Sequence, residues 1–184
     1  ITIIDYDENS FAEKRASTIE ECLQYTGKPT VTWVNIEGVH DAKLVEKVGE
    51  CFKLHPLVVE DVLNTEQRPK LEDYDDYIFI VMRMLSYEEK PNRAGEIHSE
   101  QVCLVLGEKF VLSFQEPGGD VFDPIRQAIR SGKPYVRKAG ADYLAYSLID
   151  AIVDNYFIIL EKVGERIEEL EAGVVKNPIP QTLR

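Results

Sequence analysis

The stretch from His55 to Leu85 constrains the possible folds of this chain more than any other segment. Pro56 suits the first turn of a helix, because a proline has no N–H group to leave unpaired there. Apolar residues at helical spacing follow, and Pro69 prevents the helix from continuing. The runs Lys70–Tyr74 and Tyr77–Leu85 come next, and the second is rich in Ile, Val, Phe and Met, which is typical of a buried strand. The stretch therefore predicts a short acidic helix, a rigid turn and a hairpin in the core.

The rest of the chain adds strands on both sides of this stretch. The predicted strands are Ile1–Tyr6, Thr30–Ile36, Lys70–Tyr74, Tyr77–Leu85, Ser99–Leu106 and Lys109–Gln115. The last two are joined by a tight turn at Gly107-Glu108, so they must pair antiparallel. With helices between the other strands, this order predicts a layered α/β/α domain around a mixed parallel and antiparallel sheet.

Helices are predicted from capping residues and apolar periodicity. Ser10 and Glu13 have the spacing of a capping box, which predicts a first helix that ends near residue 23. Asp41 begins a second predicted helix. Its apolar face comprises Leu44, Val45, Val48, Cys51 and Phe52. A further helix is predicted for residues 123–130, and the basic segment at residues 131–138 is expected to be irregular.

The last predicted helix, from about Gly140 to Gly173, is the longest element of the chain. At about 100° per residue, one broad face carries Leu144, Leu148, Ile152, Tyr156, Ile159, Val163 and Ile167. A narrow stripe on roughly the opposite side carries Asp150, Asp154, Glu161 and Glu165. The other sides are largely apolar between residues 148 and 160, which indicates contact with further helices or with another subunit. The chain is thus predicted to divide into an α/β/α domain at residues 1–139 and a long helix with its tail at residues 140–184.

Composition limits the partners and the location of the chain. The 33 acidic and 21 basic residues give a formal net charge of -12, which repels nucleic acid and anionic lipid and favours cations or a basic partner. Cys22, Cys51 and Cys103 stand apart without a CxxC motif, which predicts reduced thiols in a cytosolic protein. No apolar run approaches the ~20 residues that span a bilayer, so this fragment is expected to be soluble.

Two acidic pairs are the main candidates for function. Glu60 and Asp61 are adjacent in the short acidic helix, and Asp150 and Asp154 are one helical turn apart in the long helix. Hard cations bind carboxylate oxygens, and because Mg²⁺ keeps much of its water, one or two carboxylates suffice to hold it. The alternative for each pair is an ordinary solvated helix face.

The other charged groups are interpreted as structural. The acidic run Glu72–Asp76 lacks the spacing of a calcium loop and is expected in a turn between strands. His55 is expected to order a helix start, whereas His40 and His98 are expected in surface loops. The basic segment Gln67–Lys70 is either an anion site or, as we favour, a partner for nearby acids.

Several blocks of the sequence match one known family in the same order. They are H-P-L-V-V-E-D-V-L-N, N-T-E-Q-R-P-K, Y-I-F-I-V, S-E-Q-V, F-Q-E, G-D-V-F-D-P and A-D-Y-L-A-Y-S-L-I-D. Over residues 32–170 the chain resembles the cytoplasmic domain of CorA-type magnesium/cobalt transporters. The resemblance implies an α/β/α domain and a homopentamer whose long helices pack around an axis. It also implies membrane helices beyond Arg184, with this fragment at the cytoplasmic face of the inner membrane.

The resemblance assigns a role to the acids as well. Carboxylates at the positions of Glu60, Asp61 and Asp150 take part in divalent-cation sites between neighbouring subunits of the family. Asp154 joins this set only through its spacing from Asp150. The implied ligand is Mg²⁺, with Co²⁺ or Ni²⁺ as substitutes and without an organic cofactor. The predicted function is cation sensing that gates a pore through metal bound between subunits.

Three alternatives stay open from the sequence. A metal-dependent hydrolase of phosphate esters would gather the acids in one cleft around two metals ~3.5–4 Å apart. A zinc-exporting branch of the same superfamily would use a related soluble domain. A plain scaffold would leave the acids dispersed on the surface. The sequence contains no G-x-S-x-G, P-loop or G-x-G-x-x-G motif, so we expect no enzymatic activity.

Overall fold

A seven-stranded sheet forms the centre of the computed structural model, which describes residues 1–25, 27–88, 95–117 and 119–176. The strands are β1 (Thr2–Tyr6), β2 (Phe11–Arg15), β3 (Val31–Glu37), β4 (Lys70–Tyr74), β5 (Tyr77–Glu88), β6 (Glu96–Gly107) and β7 (Phe110–Gln115). They lie side by side in the order β2-β1-β3-β7-β6-β5-β4. Strands β3 and β7 run parallel, whereas the other neighbours run antiparallel. The mixed sheet predicted from the sequence is therefore confirmed.

Helices cover both faces of this sheet, which confirms the predicted α/β/α layering. One face carries α1 (Ala42–Phe52) and α2 (Pro56–Leu63), and the other carries α3 (Asp123–Arg130), α4 (Pro134–Arg137) and α5 (Ala141–Lys176). The short helix α4 lies in the segment that was expected to be irregular, so that expectation is wrong for its 4 residues. Pro134 explains the difference, because a proline at the first helical position favours a helical turn.

Each face of the sheet buries its own apolar core, because successive strand residues point to opposite sides. On β6, Val105 joins the core beneath α1 and α2, whereas Leu104 joins the core beneath α5. Val58 and Val62 anchor α2 in the first core, and Leu148 anchors α5 in the second. The sheet therefore stands between α2 and α5.

The first predicted helix is wrong, because residues 11–15 form the strand β2. The Asp7 carboxylate accepts hydrogen bonds from the backbone N–H groups of Asn9 and Ser10 at 2.7 and 2.6 Å. This contact closes a tight turn that returns the chain antiparallel to β1. Glu13 does not cap a helix, since its carboxylate pairs with a guanidinium of α3. The predicted segment keeps one turn of 3-10 helix, Ile19–Cys22.

The starts of α1 and α2 follow the sequence pattern. The Asp41 carboxylate accepts a hydrogen bond from the Leu44 N–H group at 3.2 Å, as an N-cap residue should. His55 Nδ1 accepts one from the Leu57 N–H group, also at 3.2 Å. The prediction that His55 orders a helix start is confirmed.

The long helix α5 is partly a core helix and partly exposed. Its sheet-facing residues Leu148 and Ile152 are fully buried, whereas Phe157 and Leu160 on other sides are 66% and 64% exposed. By length and composition α5 would be able to cross a membrane, which corrects the expectation that no segment is long and apolar enough. The predicted division of the chain at residue 140 stays a prediction, and residues 177–184 of the tail lie outside the described residues.

Candidate divalent-cation site

Asp61 is the least exposed of the four candidate ligands. Its side chain is only 14% exposed, because α2 turns the carboxylate toward the sheet. One carboxylate oxygen accepts a hydrogen bond from the Gln67 side-chain amide at 2.7 Å, and the other accepts one from the Lys70 ammonium at 2.6 Å. The negative charge of Asp61 is therefore matched by a cation of the same chain.

Lys70 is the first residue of β4, and it reaches two carboxylates at once. Its ammonium lies 2.6 Å from Asp61 and 2.8 Å from Glu72. The hydrogen bonds to Asp61 and then to Glu72 raise the pKa of Lys70 above its usual value. The prediction that the basic segment pairs with nearby acids is thus confirmed for this residue.

Buried polar side chains of the sheet hold the segment between α2 and β4. Gln101 on β6 is 2% exposed and donates from its amide to the Asp61 backbone carbonyl at 3.0 Å. The Gln101 side-chain carbonyl accepts from the Gln67 N–H group at 3.1 Å, and Arg83 donates to the Gln67 carbonyl at 2.9 Å. These contacts fix the backbone of Gln67 relative to that of Asp61.

Glu60 is more exposed than its neighbour Asp61. Its side chain is exposed on α2, because consecutive helical residues are about 100° apart. Glu60 and Asp61 therefore present one outward and one inward carboxylate at the same turn of the helix.

Asp150 and Asp154 lie on the other side of the sheet. Both are exposed on α5, and they line one groove together with Asp120 and Asp123 at the start of α3. The Tyr146 hydroxyl, one turn earlier, lies 3.5 Å from Asp150. The structure thus brings Asp150 and Asp154 together, and Glu60 and Asp61 together, but it does not bring the two pairs together within one chain.

Asp120 in the same groove already has a strong internal partner. Arg126 lies 2.5 Å from Asp120, whose side chain is 3% exposed, and the Gln115 amide donates to it at 2.9 Å. Burial raises the pKa of Asp120, but the hydrogen bonds from Arg126 and Gln115 outweigh burial and hold it below its usual value. Sequence analysis missed this buried pair, because neither residue forms a motif with the other.

Glu100 on β6 is a further carboxylate that the sequence did not single out. Burial raises its pKa to about 7, and the charges of Glu116 and Asp120 add to this effect. Its Oε1 atom has no hydrogen-bond partner within the described ranges of the chain. The group is therefore held where its ionised form is unfavourable.

Two hydrogen bonds join α5 to the part of β5 that extends beyond β4. The Asn155 side chain donates to the Leu85 carbonyl, and the Tyr156 hydroxyl donates to the Arg83 carbonyl. The register of β4 against β5 begins at Lys70 opposite Val81, so Arg83 and Leu85 lie beyond the start of β4. Arg83 thus contacts α5 through its carbonyl and the α2–β4 segment through its guanidinium.

The acidic run Glu72–Asp76 and His98 lie in or beside the strands β4 to β6. Asp75 and Asp76 form the turn of the β4–β5 hairpin, which confirms the prediction for these two residues, whereas Glu72 and Asp73 lie in β4 and Glu72 pairs with Lys70. His98 lies in β6 rather than in a loop, so that expectation is wrong. Its ring Nε2 is 3.3 Å from Glu88, and both residues are exposed near the end of the β5–β6 hairpin.

The chemistry of the Asp61 site fits a divalent cation. Two carboxylates, Asp61 and Glu72, already hold a positive ammonium between them, and Glu60 offers a further carboxylate on the same helix. Carboxylate oxygens are the ligands that Mg²⁺ prefers, and a partly hydrated Mg²⁺ needs few of them.

Comparisons with known proteins identify the family of this chain. Residues 28–184 match the family model described as CorA-like Mg2+ transporter protein. The chain belongs to this family. It is 45% identical over 184 residues to the cobalt/magnesium transport protein CorA of Thermotoga maritima. The matched region covers 100% of this chain and 52% of that relative. The chain therefore spans about half the length of this CorA relative.

Solved structures of the CorA family share the fold. The soluble domain of CorA from Methanocaldococcus jannaschii superposes with a TM-score of 0.70 at 17% identity, over 99% of this chain and 69% of that one. The cytoplasmic domain of ZntB from Vibrio parahaemolyticus gives a TM-score of 0.63 at 18% identity, over 92% of this chain and 64% of that one. The layered fold with its long last helix is the CorA soluble-domain fold, and the family is one of ion transporters rather than enzymes.

Proposed function

We propose that this chain is the cytoplasmic, divalent-cation-sensing domain of a magnesium and cobalt transporter. Cations would bind between neighbouring subunits, with Glu60 and Asp61 supplied by one copy and Asp150 and Asp154 by the next. The observation that carries the proposal is the placement of the two acidic pairs on opposite faces of one sheet. Carboxylates so placed meet only when the α2 face of one copy lies against the α5 face of another.

This geometry also favours a ring. An interface that joins two different faces of identical chains is head-to-tail, and it closes into a cyclic assembly when the rotation per subunit allows. The exposed apolar side chains of α5 support the same arrangement, because a surface of this kind is typical of helix contacts between subunits. Val153, Phe157, Ile158 and Leu160 are all at least 36% exposed. The homopentamer implied by the family is our proposal for the assembly.

Electrostatic repulsion between subunits would switch the ring between a closed state with bound metal and a loosened state without it. Each chain carries a formal net charge of -12, so unscreened acidic surfaces repel each other across an interface. Two like charges about 4 Å apart cost about 4 kcal/mol in the effective dielectric near a protein surface. A bound Mg²⁺ removes this repulsion and keeps the ring closed, whereas its loss loosens the interface. Arg83 and Tyr156 would then carry the change from α2 to α5, which continues toward the membrane segment.

The proposed ligand is Mg²⁺, with Co²⁺ and Ni²⁺ as substitutes, and the proposed location is the cytoplasmic face of the inner membrane. A zinc exporter is the alternative, because the ZntB cytoplasmic domain has the same fold. The hydrolase is not supported, since the sheet separates the two acidic pairs and they do not converge in one cleft. We prefer the sensor to a plain scaffold because part-buried hydrogen bonds to Gln101 hold the backbone on both sides of the Asp61 site.

The test is a magnesium titration by calorimetry and thermal melting of the full-length protein. We expect saturable binding and stabilisation in the wild type, and the loss of both in Asp61→Asn combined with Asp150→Asn. Glu161→Gln with Glu165→Gln is the matched control, because it removes two exposed charges of the same acidic stripe on α5. If the Asp61/Asp150 double variant responds like the wild type, these acids are ordinary surface groups and the proposal is wrong.

A further inference from the structure

The Asp61 carboxylate is already occupied by a cation of its own chain. Lys70 lies 2.6 Å from one oxygen, and the Gln67 amide lies 2.7 Å from the other. The Asp61 and Lys70 side chains are 14% and 29% exposed, so the contact is largely protected from solvent. A divalent cation that binds Asp61 directly must therefore displace this ammonium or bind beside it.

We propose that Lys70 is a built-in competitor for the divalent cation at Asp61. Its ammonium holds the carboxylate at low cation concentration and is displaced when a divalent cation binds, so Lys70 sets the concentration at which the site responds. This inference rests on the proposed function and names the residue that tunes its affinity.

The geometry gives the displaced ammonium a second partner. Lys70 also lies 2.8 Å from Glu72, which is two residues further along β4. The Tyr74 hydroxyl donates to the other Glu72 oxygen at 3.0 Å and holds that carboxylate in place. When Lys70 leaves Asp61, it keeps the Glu72 carboxylate, so the exchange leaves no charge without a partner. The competition is then reversible, because both states satisfy the ammonium.

Electrostatic repulsion prevents the Lys70 ammonium and a divalent cation from binding the Asp61 carboxylate at the same time. An ammonium and a divalent ion at one carboxylate repel each other at a separation of a few ångströms, and partial burial weakens the solvent screening. The free energy of the Lys70–Asp61 contact is thus subtracted from the binding free energy of the metal. Removal of the positive charge should therefore tighten metal binding, although the removed residue is not a ligand.

Lysine is suited to this role and arginine is not. The ammonium is a compact charge on a flexible stem, so side-chain rotation can take it away from Asp61 while it stays on Glu72. A guanidinium would make two parallel hydrogen bonds to one carboxylate and would be harder to displace. Lys70→Met and Lys70→Arg are therefore expected to act in opposite directions.

The experiment is calorimetric titration of the full-length protein with MgCl₂. We expect the dissociation constant of Lys70→Met to be about tenfold lower than that of the wild type, which corresponds to about 1.4 kcal/mol. Lys70→Arg should bind Mg²⁺ more weakly than the wild type does. The control is Lys43→Met, which removes an exposed lysine of α1 on the same side of the sheet and should leave the constant unchanged. Addition of Asp61→Asn to Lys70→Met should abolish the gain.

The outcomes separate this inference from the proposed function. If wild-type binding depends on Asp61 but Lys70→Met binds no more tightly, Lys70 is not a competitor and the proposed function stands. If Asp61→Asn binds Mg²⁺ like the wild type, both fail. An equal gain in Lys43→Met would show a general effect of net charge and would overturn the inference. Lys70→Gln, which keeps a polar side chain between the two acids, serves as the neutral variant if Lys70→Met does not fold.

Discussion

The raised pKa of Glu100 makes the stability of the fold depend on pH in a defined direction. Its pKa rises from 4.5 to about 7, first because of burial and then because of the charges of Glu116 and Asp120. The native state therefore holds a proton on Glu100 between these two values, whereas the unfolded chain has already lost it. Stability is greatest below pH 4.5 for this group and falls as the pH rises toward 7.

The size of this effect follows from the shift. One pKa unit corresponds to about 1.36 kcal/mol, so the shift sets an upper limit of about 3.4 kcal/mol. The Glu100 side chain is only partly buried, and solvent screening reduces the effect, so we expect about 1–2 kcal/mol. Glu100→Gln removes the ionisation while it keeps the shape of the side chain. The variant should be more stable than the wild type by this amount at pH 8 and differ little from it at pH 5.

Urea denaturation at several pH values between 5 and 8, followed by circular dichroism, measures this difference. Glu108→Gln is the matched control, because it makes the same substitution at an exposed residue of the β6–β7 turn. Its effect on the free energy of unfolding should be small at every pH. If the free energies of unfolding of the wild type and Glu100→Gln differed by the same amount at every pH, that result would refute the argument. It would show that Glu100 has the same pKa in the native and unfolded states.

Three further predictions concern the Arg126–Asp120 ion pair at α3 and the two sides of α5. Arg126→Ala leaves the Asp120 carboxylate, which is 3% exposed, without its charged partner and should cost about 3–5 kcal/mol in urea denaturation. Arg126→Lys should recover part of that loss, and a full loss in both variants would contradict the charge argument. Leu148→Ala removes a fully buried side chain and should cost about 2–5 kcal/mol. Phe157 is 66% exposed, so Phe157→Ala should leave the free energy of unfolding nearly unchanged but weaken self-association in sedimentation velocity. If Phe157→Ala lowered the free energy of unfolding more than Leu148→Ala does, α5 would be oriented differently from this structure.

Local patterns predicted most of the fold where local interactions decide it. Pro56 and the side chain of His55 start α2 as expected, and the apolar run in β5 is buried as expected. The helix predicted from Ser10 failed because the capping-box spacing of Ser10 and Glu13 is a weak local signal. The Asp7 turn and the pairing of β2 with β1 outweigh it, and strand pairing depends on residues distant from that spacing.

The candidate site was only partly predictable for a similar reason. The family resemblance pointed to Asp61 and Asp150, but it did not show that Asp61 turns inward to Lys70. That contact requires β4 to lie beside α2, which Gln101 on the more distant strand β6 enforces. The link between Arg83 and Tyr156 joins residues 73 positions apart and depends on where β4 begins. Contacts of this kind follow from the tertiary arrangement and leave no spacing in the sequence.

The central claim is that the two acidic pairs of different copies form one site. Mixing two full-length variants tests it most directly, one with Glu60→Gln and Asp61→Asn, the other with Asp150→Asn and Asp154→Asn. Each variant alone should lose the protection against proteolysis that Mg²⁺ gives the wild type. Co-expression should restore protection at about a quarter of the interfaces, since random order in a head-to-tail ring places the intact faces together at that frequency. A mixture that stays as unprotected as either variant alone would contradict a site shared between copies.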